Sequence, residues 1–222
     1  MNYIVLLERS QIVTVTKEVI EWMKEIISSY EEPKFITKEY FESNGINKKA
    51  LSEVGSTITF TLNNGKKVEA MVVDFYEYEN IALLMHVDCL NNAYPMNKSA
   101  TTDGGYTNSY LRKVLKEEIF DLYPDALKGM MVPFMDDECR GDCLRLPTKE
   151  EIFGDDNGCG QLGLMKNRRN RIALRNNNPE WCWLQDVVSS TNFASVTNYG
   201  GANNATATNS NGVRPLFQIS LI

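Results

Sequence analysis

The sequence predicts an α+β fold, on three observations. Apolar and β-branched residues alternate with polar ones from Ser56 to Val87 about an Asn64-Gly65 pair. One helical pattern follows in "SYLRKVLKEEIFDLYPDAL", and a strand-like ending, "PLFQISLI", comes only after a long turn-rich stretch. Strands, a helix, loops and a last strand, with no repeating strand and helix units, form an α+β order rather than a parallel doubly wound one.

Taken in order, the first 51 residues form a segment of their own. A short opening strand leads into "TVTKEVIEWMKEIISSY", where Val19, Ile20, Trp22, Met23, Ile26 and Ile27 recur at helical spacing, and Pro33 follows its end. A short helix, a turn at Asn44-Gly45 and another helical turn complete the segment. It reads either as a helical cap or as an oligomerisation or docking module. Residues 52–222 read as one domain. "STITFTLNNGKKVEAMVVDFYEYENIALLMHV" supplies a hairpin, because Asn-Gly accepts positive φ at both turn positions, and then a third strand. Leu111, Leu115, Ile119 and Phe120 share one helix face that ends at Pro124. From about Met130, short apolar segments alternate with turns, and loops this long are functional or mark a misassigned element. The strand at "STITFTL" is expected to lie beside "PLFQISL", since both are β-rich and bracket the domain.

Composition excludes several classes. With 222 residues, 43% of them hydrophobic, the chain can bury a core without staples. No apolar run reaches the roughly 18 residues of a membrane span, and "MNYIVLLERSQIVTV" lacks the marks of a signal peptide, so the expected setting is the cytoplasm, without membrane insertion. A formal charge of -6 argues against a nucleic-acid partner. "KNRRNRIALR" (166–175) is a local basic exception, read as a solvated loop or as a contact for an anion. Five cysteines without an export signal are expected to be reduced.

Catalytic and metal motifs are few. One histidine, His86, and the absence of GxSxG or P-loop spacing leave hydrolase and nucleotide-triphosphate chemistry without a constellation. "DDNGCGQLG" offers Asp155, Asp156 and Asn157 to calcium but has no closing acidic residue, so a plain polar loop is the reading. "CRGDC" (139–143) contains an adhesion tripeptide, and Cys139 and Cys143 could close a small ring in an oxidising setting; Gly141 suits a tight turn in any case. Trp181 and Trp183, two residues apart, face the same way in a strand, and at least one belongs in the core. No enzyme activity, metal or cofactor is expected.

The segment from Ser189 to Gly212 is different in kind. It holds 6 Asn, 4 Ser, 4 Thr, 4 Ala and 3 Gly, with Phe193, Val196 and Tyr199, and no charge. With its flanks, "WCWLQDVVSSTNFASVTNYGGANNATATNSNGVRPLF", it resembles the C-terminal segment of the C-type-lectin-fold variable proteins diversified by retroelements in gut bacteria and their phages. The pieces carrying the resemblance are Trp183 and Leu184, Phe193 and Ala194, Val196, Gly200, Ala202, Ala207, and Gly212 through Pro215. "DCLNNAYPMN", "GGYTNSYLRKVL" and "LRLPTKEEIFG" extend it over about residues 52–222. Gln185 stands where that family usually has arginine, and Cys182 where it usually has an aromatic residue. The Glu-Pro-Asn and Trp-Asn-Asp calcium motifs of sugar-binding C-type lectins are missing, so calcium-dependent sugar binding does not come with the fold.

The resemblance implies a C-type-lectin-like domain whose C-terminal loops, about 181–215, form a diversified binding face. Random replacement of adenines in Asn codons yields Ser, Thr, Ala, Gly or Tyr, which is the palette of this stretch. The variable, ligand-binding positions would be Thr191, Asn192, Ser195, Thr197, Asn198, Tyr199, Gly201, Asn203, Asn204, Thr206, Asn209, Ser210 and Asn211, pointing mostly outward. The scaffold would be Trp183, Phe193, Val196, Gly200, Gly212 and Arg214, with Val213 also inward. Gly201 is the expected exception, held for a positive φ rather than for recognition. The implied function is non-catalytic recognition of a protein or surface glycan on another cell or virus, with homo-oligomerisation through the N-terminal segment. Two alternatives stand beside it: an undiversified structural protein of a phage particle or cell surface, and a formylglycine-generating type of enzyme using Cys143 and Cys182. Arg214, among apolar neighbours, should satisfy backbone carbonyls or a carboxylate beneath the loops.

Overall fold

The computed structural model describes residues 51–221 and two N-terminal strands. The amphipathic helix and the short helical turns expected before residue 51 lie outside the described residues. The chain divides into two compact units, Met1–Ile36 and Thr37–Ile222. In the first, β1 (Tyr3–Leu7) and β2 (Gln11–Val15) pair as an antiparallel hairpin in the register Tyr3↔Val15.

The second unit is a mixture of helix and sheet of the α+β kind. It opens with β3 (Thr57–Thr61), β4 (Lys67–Tyr76) and β5 (Ile81–His86), and a short β6 (Tyr94–Pro95) follows. Then come α1 (Tyr110–Val114), α2 (Asp125–Lys128), β7 (Met131–Val132) and α3 (Lys149–Phe153). The last part of the chain is all strand: β8 (Ala173–Arg175), β9 (Asn178–Glu180), β10 (Cys182–Val187), β11 (Asn192–Val196), β12 (Ala202–Thr206), β13 (Ser210–Asn211) and β14 (Leu216–Ser220).

The main sheet has five antiparallel strands in the order β3-β4-β5-β14-β7. This corrects the expected neighbour of the closing strand. β14 shares a sheet with β3 but pairs with β5 and β7, and two strands separate it from β3. The residues explain the order. In β5, Ala82 through His86 are all buried, and in β14 Leu216, Phe217 and Ile219 are, so these strands are covered on both faces and suit the centre. β3 buries Ile58 and Phe60 and leaves Thr57, Thr59 and Thr61 exposed, as an edge strand can. A bulge between Val72 and Asp74 lets β4 bury both Val72 and Val73.

Local chemistry sets the remaining elements. The β3–β4 turn needs one left-handed residue and not two: Gly65 has φ 84 and donates to Leu62 O at 2.8 Å, while Leu62 N–H donates to Lys66 O. Ser109 caps α1 by accepting from Arg112 N–H. The helical course then widens to a π-turn over Leu115–Ile119 and tightens to a 3-10 turn over Phe120–Leu122. Apolar residues spaced by four would drift about 40° per step on a strict α-helix, and the wide turn keeps Leu111, Leu115 and Ile119 all buried. Thr148 and Glu151 form a reciprocal capping box on α3.

The stretch from 181 to 215, expected as loops, is mostly paired strand. β10, β11 and β12 form a three-stranded antiparallel sheet, and β13 pairs with β6. Asn, Ser, Thr and Ala hide this from propensity, but strand pairing is made by the backbone, and Phe193 and Val196 supply buried anchors.

At the centre, Phe60, His86, Tyr123 and Phe217 pack as an aromatic cluster with ring centroids 5.5 to 6.1 Å apart. His86 is 1% exposed, and its Nε2 shares a 2.6 Å hydrogen bond with Tyr123 Oη. Burial, with Lys66 and Arg214 adding to it, holds the imidazole down from 6.5 to about 3. The unfolded chain therefore takes up a proton below pH 6.5 that the folded chain refuses, so stability is full above that pH and is lost as pH falls towards 3. Between pH 7 and pH 5 this one group should remove roughly 2 kcal/mol. Denaturant titrations at the two pH values check it: the drop in the parent should exceed that in His86→Gln by about this amount, and equal drops would refute it.

Candidate functional site

The uncharged polar segment folds as two hairpins over a buried base. Register assigns the two faces of its sheet: Phe193↔Ala205 and Ser195↔Asn203 fall on one side with Trp183, and Asn192↔Thr206, Ala194↔Asn204 and Val196↔Ala202 on the other. Trp183 is wholly buried, and its indole N–H donates to Tyr94 O at 2.8 Å. Phe193, Val196 and Val213 are buried as well. Trp181, ahead of β10, is only partly buried.

Of the positions implied as variable, Thr191, Tyr199, Asn203, Asn204, Asn209 and Ser210 are exposed, and Asn192, Thr197, Asn198, Gly201 and Thr206 are half-buried. Two depart from the expected outward direction. Ser195 is fully buried because its register position puts it beside Trp183, and Asn211 is buried because β13 pairs with β6. Ser195 Oγ and Asn211 Nδ2 have no hydrogen-bond partner among the described residues. Thr197 is also a turn residue. Its Oγ1 accepts from Gly201 N–H at 3.0 Å and Tyr199 N–H at 3.3 Å. Across the strands Asn192 Nδ2 donates to Asn204 Oδ1 at 2.7 Å.

The glycine expectation is corrected too. Gly200, not Gly201, has the positive φ of 74, and a Cβ there would sit 2.7 Å from Arg168 O. Gly212 is required by space, since a Cβ would meet Cys89 Sγ at 2.6 Å and Glu180 Cγ at 2.8 Å. A cavity of about 200 Å³ opens on the outer side of the sheet, between it and α3, lined by Phe153, Leu184, Val188, Ala194, Ala202 and Asn204 among others. Val187 and Val188, at the β10–β11 turn, are 48% and 51% exposed, and Tyr199, at the β11–β12 turn, is 69% exposed, so each end of the three-stranded sheet carries apolar area beside its amides.

Arg214 holds the base together. It is 4% exposed, its Nε donates to His86 O at 2.6 Å, and its Nη1 donates to Asn170 O at 2.8 Å. Gln185, in the position where arginine was implied, is buried and gives its amide N–H to Leu146 O at 2.5 Å. The basic stretch 166–175 is partly absorbed by the fold. Arg168 Nε donates to Tyr199 O at 2.7 Å, Arg171 lies over Phe153, and Arg175 pairs with Glu180.

Other candidate motifs have structural employment. Asp142 of the adhesion tripeptide is 2% exposed and ion-paired to Arg112 at 2.6 Å and Lys116 at 3.3 Å, so it is not displayed. Asp155 Oδ1 accepts from the amides of Asn157 and Cys159, an Asx-type loop lock. Cys182 meets Cys89 and not Cys143, which removes the cysteine pair on which the formylglycine-generating alternative rested. Among the described residues no group of three or more His, Cys, Asp or Glu is placed to hold a metal ion, and no helix is long and apolar enough to cross a membrane.

Two predictions follow from this arrangement. Arg214→Ala leaves two carbonyls without their charged donor, and at about 1.5–3 kcal/mol for each such bond the melting temperature should fall by roughly 6–24 °C; an unchanged melt would mean the guanidinium is dispensable. Replacing Asn203, Asn204 and Asn209 together by Ser should cost no more than about 0.5 kcal/mol per site, against about 3–5 kcal/mol for Phe193→Ala and at least ~2 kcal/mol for Gly200→Ala. Denaturant titration ranks them, and a triple variant as damaged as Phe193→Ala would make the exposed amides structural. Comparisons with protein families, curated proteins and solved structures find no match to this chain.

Proposed function

We propose that this chain is a non-catalytic recognition protein: a C-type-lectin-like domain, carried after an N-terminal segment, that presents residues 189–211 as a diversified face to a protein or surface glycan on another cell or virus. One observation carries the reading. Within this segment the exposed and half-buried positions are Asn, Ser, Thr, Gly, Ala and one Tyr, while Phe193 and Val196 are buried. Chemistry that adapts its hydrogen bonds is outside and chemistry that anchors the backbone is inside, the division seen in binding loops that must accept many sequences. Tyr199 supplies rigid contact area, and the amides of Asn198, Asn203, Asn204 and Asn209 supply adaptable polar contacts. The five-stranded sheet supports the assignment by returning the closing strand to its interior, between β5 and β7, so that the last hairpins are followed by a strand fixed on both sides.

The test needs no ligand. Sequencing this segment from many descendants of one cell, together with the neighbouring DNA, should find substitutions at adenines in the codons for Asn198, Tyr199, Asn203, Asn204 and Asn209, none at Trp183, Phe193 or Gly212, and a near-copy of the segment beside a reverse transcriptase gene. At Ser195 and Asn211 only small or burial-tolerant replacements should survive. An invariant segment without a near-copy would overturn diversification.

A further inference from the structure

Beneath the hairpins lies a pair of thiols that the proposed function does not use. Cys89 Sγ and Cys182 Sγ are 3.1 Å apart and both residues are 3% exposed. They come from positions 93 residues apart in the chain, Cys89 just past β5 and Cys182 at the start of β10. The surroundings hold them together. Cys89 N–H donates to Leu174 O, Cys182 bridges to Gly212, and the missing Cβ of Gly212 leaves the space that Cys89 Sγ fills. The other cysteines are placed differently: Cys159 is exposed, and Cys139 Sγ faces Asp136.

We propose that Cys89 and Cys182 are a redox-modification site, closed to a disulfide by exchange with a small-molecule disulfide. The sulfurs already lie in van der Waals contact, and a bond of about 2.05 Å requires an approach of roughly 1 Å. Cys89 also lines an open polar cavity of about 450 Å³, with Lys66, His86 and Asp88, which brings a small reagent next to the pair. In the first step one cysteine, as thiolate, attacks a sulfur of the reagent RSSR; that S–S bond breaks, and RS⁻ leaves and takes up a proton. In the second, the other cysteine loses its proton and attacks the mixed disulfide, expelling the second RSH. Two protein thiols are oxidised and one RSSR is reduced to two RSH. The hydrogen bond to Cys182 and burial push the Cys89 thiol up, against the pull of Arg214, so the neutral dithiol is the resting form and exchange through the thiolate is slow.

The bond would staple the start of β10, and so the base of the presented hairpins, to the central sheet. Closing a loop of this length constrains the unfolded chain and should raise the melting temperature by roughly 5–15 °C. The test uses the full chain carrying Cys159→Ser, which removes the exposed thiol. After equilibration with oxidised glutathione and acid trapping, peptide mapping should find Cys89 joined to Cys182, and thermal unfolding should show the upward shift, reversed by dithiothreitol. A second chain carrying also Cys139→Ala and Cys143→Ala should give the same cross-link and the same shift. Failure to find the cross-linked peptide, a glutathione adduct that stays on Cys89 or Cys182, or a cross-link without the shift would overturn the proposal.

Discussion

A guanidinium taken wholly out of water is the constraint around which the second unit is arranged. Arg214 forms no ion pair among the described residues; its hydrogen bonds go to the carbonyls of His86 and Asn170. A buried cation without a carboxylate is tolerated only if backbone oxygens are fixed around it. Those oxygens belong to distant parts of the chain, the end of a central strand and the basic turn before β8. Once the charge is buried, the end of β5, the 168–171 turn and the Gly212–Pro215 approach to β14 cannot move independently. The carbonyl at Tyr199 is tied to the same turn through Arg168, so the tip of the presented hairpin is referred back to this one base.

This explains how a segment so poor in apolar residues stays ordered. Between Ser189 and Gly212 only Phe193 and Val196 go wholly into the core among the larger side chains, and small residues such as Ala205 and Ala207 fill the space beside them. The remaining order comes from strand pairing and from ties outside the segment: Asn97 N–H to Ala207 O, Thr102 Oγ1 to Ser189 O, and the β6–β13 pairing. Backbone ties do not depend on which side chain stands at the position. A surface held in this way can change its side chains with little loss of stability, which is the physical requirement of the proposed function.

Legibility from sequence followed what each element depends on. β3, β4, the helical stretch after Ser109 and β14 are readable because their apolar residues recur at strand or helix spacing, β5 because a short continuous apolar run is bounded by turn residues, and the burial of Arg214 because a charge among apolar neighbours has few solutions. Strand order is not, since it is set by how many faces of each strand are covered: β5 is buried throughout and β3 only alternately. The hairpins at 192–206 were hidden because Asn, Ser and Ala carry no strand period. α3 carries a local signal in the Thr148-x-x-Glu151 capping box. The Cys89–Cys182 contact joins residues far apart in sequence, and nothing local marks it.

Ser195 and Asn211 show where the proposed face meets its limit. Register places Ser195 against Trp183, and strand pairing buries Asn211, yet Ser195 Oγ and Asn211 Nδ2 have no partner among the described residues. Each such group costs about 1–3 kcal/mol relative to a residue with nothing to satisfy. A chain shaped only for stability would hold alanine or valine there. Under the proposed function the segment's codons would be rewritten together, inward positions alike with outward ones, and the backbone ties and Arg214 would absorb the loss; Ser195 also lines the cavity beside α3. For a face of the proposed kind, the cost of rewriting would be set less by the exposed amides than by the few inward positions, and the firm base beneath them is what would make it tolerable.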